Sequence, residues 1–403
     1  MSRAGPTVLV ESGSPLLLGD VMQTGTHGGI AGELNAIFVS LELSRSTWLI
    51  TSLSPGAGEK ISRHTVEAGN LSALLERFSV LRSKARQRTG RDYPVISVYE
   101  AGLDGFWVHR ALVSEGVESH VVDAASIATS RRKRRVKTDR VDGETLVRTL
   151  LAYKRGEPRI CAMVRVPTPE EEDRRRIGRE RKVLMSERIQ HSNRIKGLLF
   201  SQGITTYSPL RRDRRVQLES LTTGDGRPLP EQMKRQILRE IERLELVIDQ
   251  LDAIDAERDA MLAAERGRET SVVSMLTNVV GVGAEFAAIL WSEALFRRFD
   301  NRRQVAAYAG LAPTPWQSGA VSREQGVSKS GNGRLRSTLI QLAWLWIRHQ
   351  PGSELTKWFR NRVAQSGGRM KKTMITALAR KLLVALWKYA TAGVVIEGAS
   401  VRT

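Results

Sequence analysis

Five side chains in this 403-residue sequence are of types, and at spacings, that could act on a phosphodiester. Asp139 and Asp142 stand three apart at the start of a helical pattern, so both carboxylates project from one face. Glu100 closes a β-rich segment, and Glu42 lies in or at the end of another. Carboxylates at the ends of neighbouring strands, joined by a helix pair, can converge on one cleft, and hard oxygen ligands of this kind suit Mg2+ or Mn2+. Acids at a helix N-terminus are also favoured by the helix dipole alone, and spacing does not separate the two readings. Just upstream, Arg131, Arg132, Lys133, Arg134, Arg135 and Lys137 put six cations into seven positions, where they would hold phosphates beside such a site. The fifth residue is Ser318, in the Pro-rich segment 310–319. A Ser-Gly in that setting reads first as a turn within a loop. There is no Gly-x-Ser-x-Gly elbow, the nearest following histidine is His349, and carboxylates are nearly absent nearby, so a hydrolase triad has no support. A nucleophilic Ser318 must be activated from elsewhere, such as by metals held by the acids.

The elements that carry these residues follow from hydrophobic periodicity. Residues 1–34 are rich in Gly, Ser and Thr and read as a flexible tail. Segments 36–43, 46–53 and 60–66 read as strands, and 70–88 as a helix with Leu71, Leu74, Leu75, Phe78 and Leu81 on one face. A strand at 93–99 ends in Glu100, followed by a helix at 105–114, a strand at 118–122 and a helix at 139–154. This order is α/β with a mixed sheet. Thr168-Pro169-Glu170-Glu171 opens a charge-dense helix running to about residue 200, with Thr as cap, Pro at the first helical position and Glu at the third. After an Arg-rich loop at 211–215, a second long helix spans 231–264, where Ile237, Ile241, Leu244, Ile248 and Leu251 form a heptad seam. Two heptads do not distinguish a helical hairpin within the chain from a dimerising coiled coil. A third unit starts near Ser271. Its Gly281-Val282-Gly283, before an apolar helix at 286–291, is similar to a helix-hairpin-helix turn that brings backbone N–H groups to a phosphate, although Gly-x-Gly between helices is also an ordinary tight connection. Helices at 334–348 and 371–389 are basic on one side and Trp/Leu-rich on the other, with Trp344, Trp346, Trp358 and Trp387 expected in the core.

Charge bounds the partner. The sequence holds 63 Lys and Arg against 43 Asp and Glu, a net of +20, and twelve of that excess falls in residues 320–403. Self-repulsion on this scale is offset by a polyanion, which points to nucleic acid. Hydrophobic residues at 41% exclude a disordered basic tail. The single Cys161 excludes an intrachain disulfide framework and a Cys-rich zinc site. No apolar run approaches a membrane span, and the expected location is cytoplasmic.

On these residues the chain resembles the DEDD transposases of insertion elements, the insertion-sequence family one-ten, whose relatives include the Piv DNA invertase. Lys137-Thr138-Asp139-Arg140-Val141-Asp142 with the preceding Glu100 carries the first half of the resemblance. Gly281-Val282-Gly283, Tyr308-Ala309-Gly310-Leu311-Ala312-Pro313, Gln317-Ser318-Gly319, Ser328-Lys329-Ser330-Gly331-Asn332 and Arg334-Leu335-Arg336 carry the second. The resemblance implies an α/β plus α architecture. Residues 35–160 would be an RNase H-like (RuvC-like) catalytic domain, 161–268 a helical coiled-coil insert, and 269–403 a mainly helical C-terminal transposase domain. It also implies that Glu42, Glu100, Asp139 and Asp142 bind Mg2+ or Mn2+, and that Ser318 forms a covalent 5′-phosphoserine with DNA. Implied partners are donor and target DNA, a guide or bridge RNA, and a homo-oligomer, dimer or tetramer, in which the acids of one subunit complete the serine site of another. The protein would associate with the bacterial nucleoid when active. Lys329, Arg334, Arg336, Gly281, Gly283 and the 131–137 cations are the nucleic-acid-binding candidates. The family usually has Asp where this chain has Glu42, whose extra methylene displaces the carboxylate by ~1.5 Å. Two other readings fit the same residues. One is a RuvC-like metal-dependent junction nuclease in which Ser318 is structural; the other is a catalytically impaired nucleic-acid-binding relative.

Overall fold

The computed structural model describes residues 34–58, 60–102, 105–127, 139–158, 160–266, 271–318, 321–329 and 331–402. The chain forms two compact units, Met1–Met163 and Val164–Thr403.

In the first unit, β1 (Ile37–Leu43) is apolar over its first half because it is covered on both faces. It pairs antiparallel with β2 (Thr47–Leu53), which pairs antiparallel with β3 (Ile61–Glu67). The chain continues through α1 (Leu71–Thr89), whose Asn70 cap accepts from the Ala73 amide and whose Gly90 end adopts a left-handed φ of 73°. It then returns as β4 (Val95–Glu100), parallel to β1. After α2 (Trp107–Ser114), β5 (Glu118–Val122) adds in parallel beside β4. The sheet order is β3-β2-β1-β4-β5, so β1 is central. The last helix of this unit, α3 (Asp139–Lys154), lays Leu146, Val147, Leu150 and Leu151 against Phe38, Ile96 and Val98. The mixed sheet and its element order agree with the sequence expectation.

The second unit begins with a long helical hairpin. Thr168 and Glu171 form the reciprocal capping box at the start of α4 (Pro169–Phe200). The short α5 (Arg214–Glu219) leads to α6 (Glu231–Arg266). The heptad seam of α6 is filled from within the chain: Ile237, Ile241 and Leu244 pack on Ile195 and Leu199, and Leu251 and Ile254 on Leu184. Late α4 thus meets early α6, an antiparallel hairpin.

Next come α7 (Val272–Asn278) and α8 (Ala284–Leu290), the latter running into a π-helical turn at Trp291–Leu295. After α9 (Arg302–Tyr308), a hairpin of β6 (Pro313–Ser318) and β7 (Val321–Val327) precedes α10 (Gly333–His349), α11 (Glu354–Gln365) and α12 (Lys371–Ala392). Two expectations are corrected here. Ser318 does not lie in a loop; it closes β6 opposite Val321. Pro313 and Pro315 are tolerated because a two-stranded ribbon leaves N–H positions unpaired, and the pairing is irregular between them. Trp344 is not core but 42% exposed, with the Lys371 ammonium 5.5 Å from its ring. Trp346 is fully buried, its Nε1 donating to Ser353 Oγ at 2.8 Å, while Trp358 and Trp387 pack partly buried against the same core.

Candidate active site

Strand alternation places the first carboxylates. Phe38, Ser40 and Glu42 face α3, and in the parallel register Leu41 opposes Tyr99, so Glu42 and Glu100 follow one step later on that same face. Neighbouring strands run about 4.8 Å apart, which sets the scale of their separation. Glu42 is half-buried, with Oε1 shielded from solvent, while Glu100 is exposed at the strand end.

Helix α3 begins beside these strand ends through a close approach at Gly143. The Ser40 hydroxyl donates to the Gly143 carbonyl at 2.8 Å. A Cβ at Gly143 would stand 2.9 Å from Glu42 Oε1, 2.5 Å from Thr51 Oγ1 and 3.2 Å from Thr51 Cβ. Only a residue without a side chain lets the helix sit so near the strand. The next residue, Glu144, ties the same turn to β3: Arg63 Nη2 donates to it at 3.2 Å and Arg148 Nε at 3.2 Å. Asp142, half-buried, directly precedes Gly143, and Asp139 starts the helix. The structure therefore gathers Glu42, Glu100 and the first turn of α3 at the C-terminal ends of the interior strands β1 and β4. The Asp139 side chain, and Arg131, Arg132, Lys133, Arg134, Arg135 and Lys137, lie outside the described residues. Among the described residues, no three His, Cys, Asp or Glu side chains form a metal cage. The donors at these strand ends are carboxylate oxygens, the chemistry that Mg2+ and Mn2+ prefer.

The serine region is held from both ends. Ser328 N bonds to Ala312 O at 2.9 Å, and Asn332 N to Tyr308 O at 2.7 Å. Between them Lys329 takes a left-handed φ of 57°, rare for a side-chain-bearing residue, and Arg336 Nη1 donates to its carbonyl at 2.8 Å. Gly331 has a φ of 103°, and a Cβ there would lie 2.5 Å from Tyr308 O. Asn332 caps α10 by accepting from the Arg334 and Leu335 amides, and its Nδ2 donates to Glu293 Oε2 at 3.1 Å. The Ser318 side chain lies outside the described residues.

Glu293, 2% exposed on the π-turn, is the hub of this region. Arg179 Nε reaches it at 3.3 Å and Arg334 Nε at 4.0 Å. Arg334 is thus turned inward, against Gly178 of α4, where a Cβ would come within 2.6 Å of Nη2. Burial pushes the Arg334 and Arg175 guanidinium pKa values down, and nearby Glu293 acts in the opposite direction. Arg175 Nε donates to Ser292 O at 3.1 Å, and its guanidinium stacks 4.0 Å from the Phe296 ring centroid. Gly281 has a φ of 86° and rests against His349, and its turn is clamped by the C-terminal segment through Val280 N to Ser400 O at 3.1 Å. Gly283 is the exposed cap of α8.

Sequence reasoning passed over Gly143, Gly178 and Glu293. Each had a signal: a glycine inside a helical pattern implies a packing reason, and an acid within the apolar run 286–295 needs a partner.

Residues 273–357, which span Ser318 and the Glu293 hub, match the family described as the IS116/IS110/IS902 transposases. The protein y4rJ of Sinorhizobium fredii, described as a transposase, is 67% identical over 379 residues, covering 92% of this chain and 96% of that protein. The chain belongs to this transposase family. A second Sinorhizobium fredii transposase, y4qE, is 25% identical over 391 residues, 91% of each chain. The transposase of insertion element IS1328 from Yersinia enterocolitica is 25% identical over 237 residues, 57% of this chain and 67% of its own. Among the described residues of the transposase, no helix is long and apolar enough to cross a membrane.

Proposed function

We propose that this transposase cuts and rejoins DNA through Ser318, with Glu42, Glu100, Asp139 and Asp142 holding Mg2+ or Mn2+ on an RNase H-like first unit. The observation that carries the reading is the Gly143 contact, which seats the turn holding Asp142 directly against Glu42 at the end of the central strand. A carboxylate set on adjacent parallel strand ends and a helix start is what a divalent cation needs, and when bound such a cation stabilises charge on a phosphate under attack. Glu42 fills the position where the family usually has Asp, and the missing Cβ at Gly143 leaves room beside its carboxylate for the longer side chain.

In this mechanism Ser318 Oγ attacks the phosphorus of a strand. The bond from phosphorus to the 3′-oxygen breaks, that oxygen leaves and takes up a proton, and the 5′-phosphate stays on the serine. Attack by a 3′-hydroxyl of another strand releases the serine and joins new ends, so bond energy is conserved. A bridge RNA supplies sequence choice by base pairing with donor and target, leaving the protein to hold backbones. The net charge of +20 supports that division of labour. Both halves act within a homo-oligomer. Mass spectrometry after incubation with element-end DNA, the element's RNA and Mg2+ tests the serine: a DNA adduct on residue 318 is expected, lost in Ser318→Ala. Metal-dependent cleavage with no adduct, surviving Ser318→Ala, would instead assign a junction-type nuclease. Sequencing of co-purified RNA tests the guide, and a discrete species from the element's non-coding end is expected.

A further inference from the structure

A groove of about 1040 Å³ opens at the base of the β6–β7 hairpin. Its cations come from three places: Arg302 and Arg303 on α9, Lys329 after β7, and Lys372, Arg380, Lys381 and Lys388 on α12. No described carboxylate lines it, and none of these cations is ion-paired with a described residue. Beside the α12 cations the floor is apolar, formed by Leu355, Trp358, Met374 and Val384. Trp358 is half-buried, with the Lys381 ammonium 4.7 Å from its ring. Like charges gathered this closely are unfavourable by themselves and call for a polyanion.

We infer that this groove binds an unpaired nucleic-acid strand, with phosphates on the α12 and α9 cations and bases on the apolar floor around Trp358. The inference rests on the DNA-handling function proposed above and adds a site to it. The apolar floor selects a single strand over a duplex. A duplex turns its bases inward and offers phosphates and sugars, which would leave the apolar floor against water, whereas an unpaired strand can lay base faces on it. The row from Lys372 to Lys388 spans sixteen residues of helix, about 24 Å, enough to follow roughly seven phosphates at the ~3.4 Å spacing of a stacked strand. The groove also includes Pro313, the first residue of the strand that Ser318 ends, about 17 Å of β-strand away. A strand attached to that serine would reach the groove within about five nucleotides.

The test uses the intact protein and fluorescence anisotropy with labelled unpaired DNA, unpaired RNA and duplex DNA across a salt series. The triple variant Arg380→Ala, Lys381→Ala, Lys388→Ala keeps helix propensity high and leaves the core of α12 untouched. It is expected to weaken unpaired-strand binding and to flatten the log-log salt slope by about 2, since each phosphate contact on a single strand contributes about 0.7. Trp358→Leu is expected to weaken it about tenfold with the slope unchanged. Stronger loss on DNA identifies the cleaved strand as occupant, and stronger loss on RNA identifies the guide. Unchanged affinity and slope in the triple variant, with native circular dichroism, overturn the inference; so does a loss no larger for unpaired strands than for duplex. Ser318→Ala is expected to bind like the parent here. Failure of the groove therefore leaves adduct formation intact, and failure of the serine chemistry leaves the anisotropy readable.

Discussion

Replacing Gly143 with alanine probes the contact on which the carboxylate site depends. The added Cβ starts 2.5 Å from Thr51 Oγ1 and 2.9 Å from Glu42 Oε1. Reaching ordinary contact requires α3 to retreat by about 1 Å, because Thr51 is fully buried and its β-branched side chain has little freedom to turn away. Overpacking of this kind costs about 1–3 kcal/mol, and stretching the Ser40–Gly143 hydrogen bond adds about 1 kcal/mol. Alanine's helix propensity returns about 1 kcal/mol, leaving a net loss of about 1–3 kcal/mol. The effect on activity is larger than that on stability. A displacement of about 1 Å exceeds the ~0.5 Å tolerance of a catalytic constellation and costs about a hundredfold. Thr51→Ala on the Gly143→Ala background removes the 2.5 Å contact but leaves the one to Glu42. It should therefore recover stability while activity stays low. The measurements are transposition frequency of a marked element with the protein supplied in trans, Mg2+ binding by calorimetry, and thermal denaturation. A Gly143→Ala protein with parental stability and parental transposition would refute the packing argument.

Three further outcomes follow from the same physics. Gly331→Ala combines a φ of 103° with a Cβ 2.5 Å from a backbone carbonyl, so a loss of about 3 kcal/mol or more is expected in thermal denaturation. Glu293→Gln strips the half-buried Arg334 of its counter-charge and should cost about 1–3 kcal/mol, read as a lower melting temperature; an unchanged melt would show that the hub is not needed. Hydrogen bonds from Arg181, at 2.6 and 3.1 Å, hold the Asp255 carboxyl below its usual range despite opposing burial. The folded-state pKa is depressed, so the stabilisation is present above about pH 4 and fades as pH falls through the lower folded value. Asp255→Asn should flatten that acid limb in circular dichroism, and superimposable acid limbs would disprove it.

The parts of this fold legible in the sequence are those where local chemistry and tertiary packing agree. The start of α4 could be read to the residue because Thr168 and Glu171 satisfy each other's backbone amides without help from elsewhere. The mixed sheet followed from alternation and strand order. The carboxylates were visible as residue types, but the seating that brings two of them together depends on Gly143 meeting Thr51 and Glu42 from strands about a hundred residues away. The Ser318 hairpin was hidden because Pro313 and Pro315 signal a loop, and only the pairing partner β7 turns them into edge-strand residues. The seam on α6 carried no information about which helix would fill it; α4 does so because the intervening chain is short enough to return it antiparallel. Trp344 was misread because the helix face it occupies carries Lys371 overhead instead of core.

The α4–α6 hairpin has a mechanical consequence. Helix α4 is 32 residues long, about 48 Å, and is fixed near its N-terminal end where Arg175 and Arg179 meet Ser292 and Glu293. Anchored at one end, it is a lever with the Glu293 hub as fulcrum. The arm from that anchor to Phe200 is about 35 Å, so a rotation of about 5° there sweeps the far tip through about 3 Å. Small adjustments around the serine hairpin would be amplified at residues 201–230, where a pair of spectroscopic labels would read the state of that hairpin from a distance.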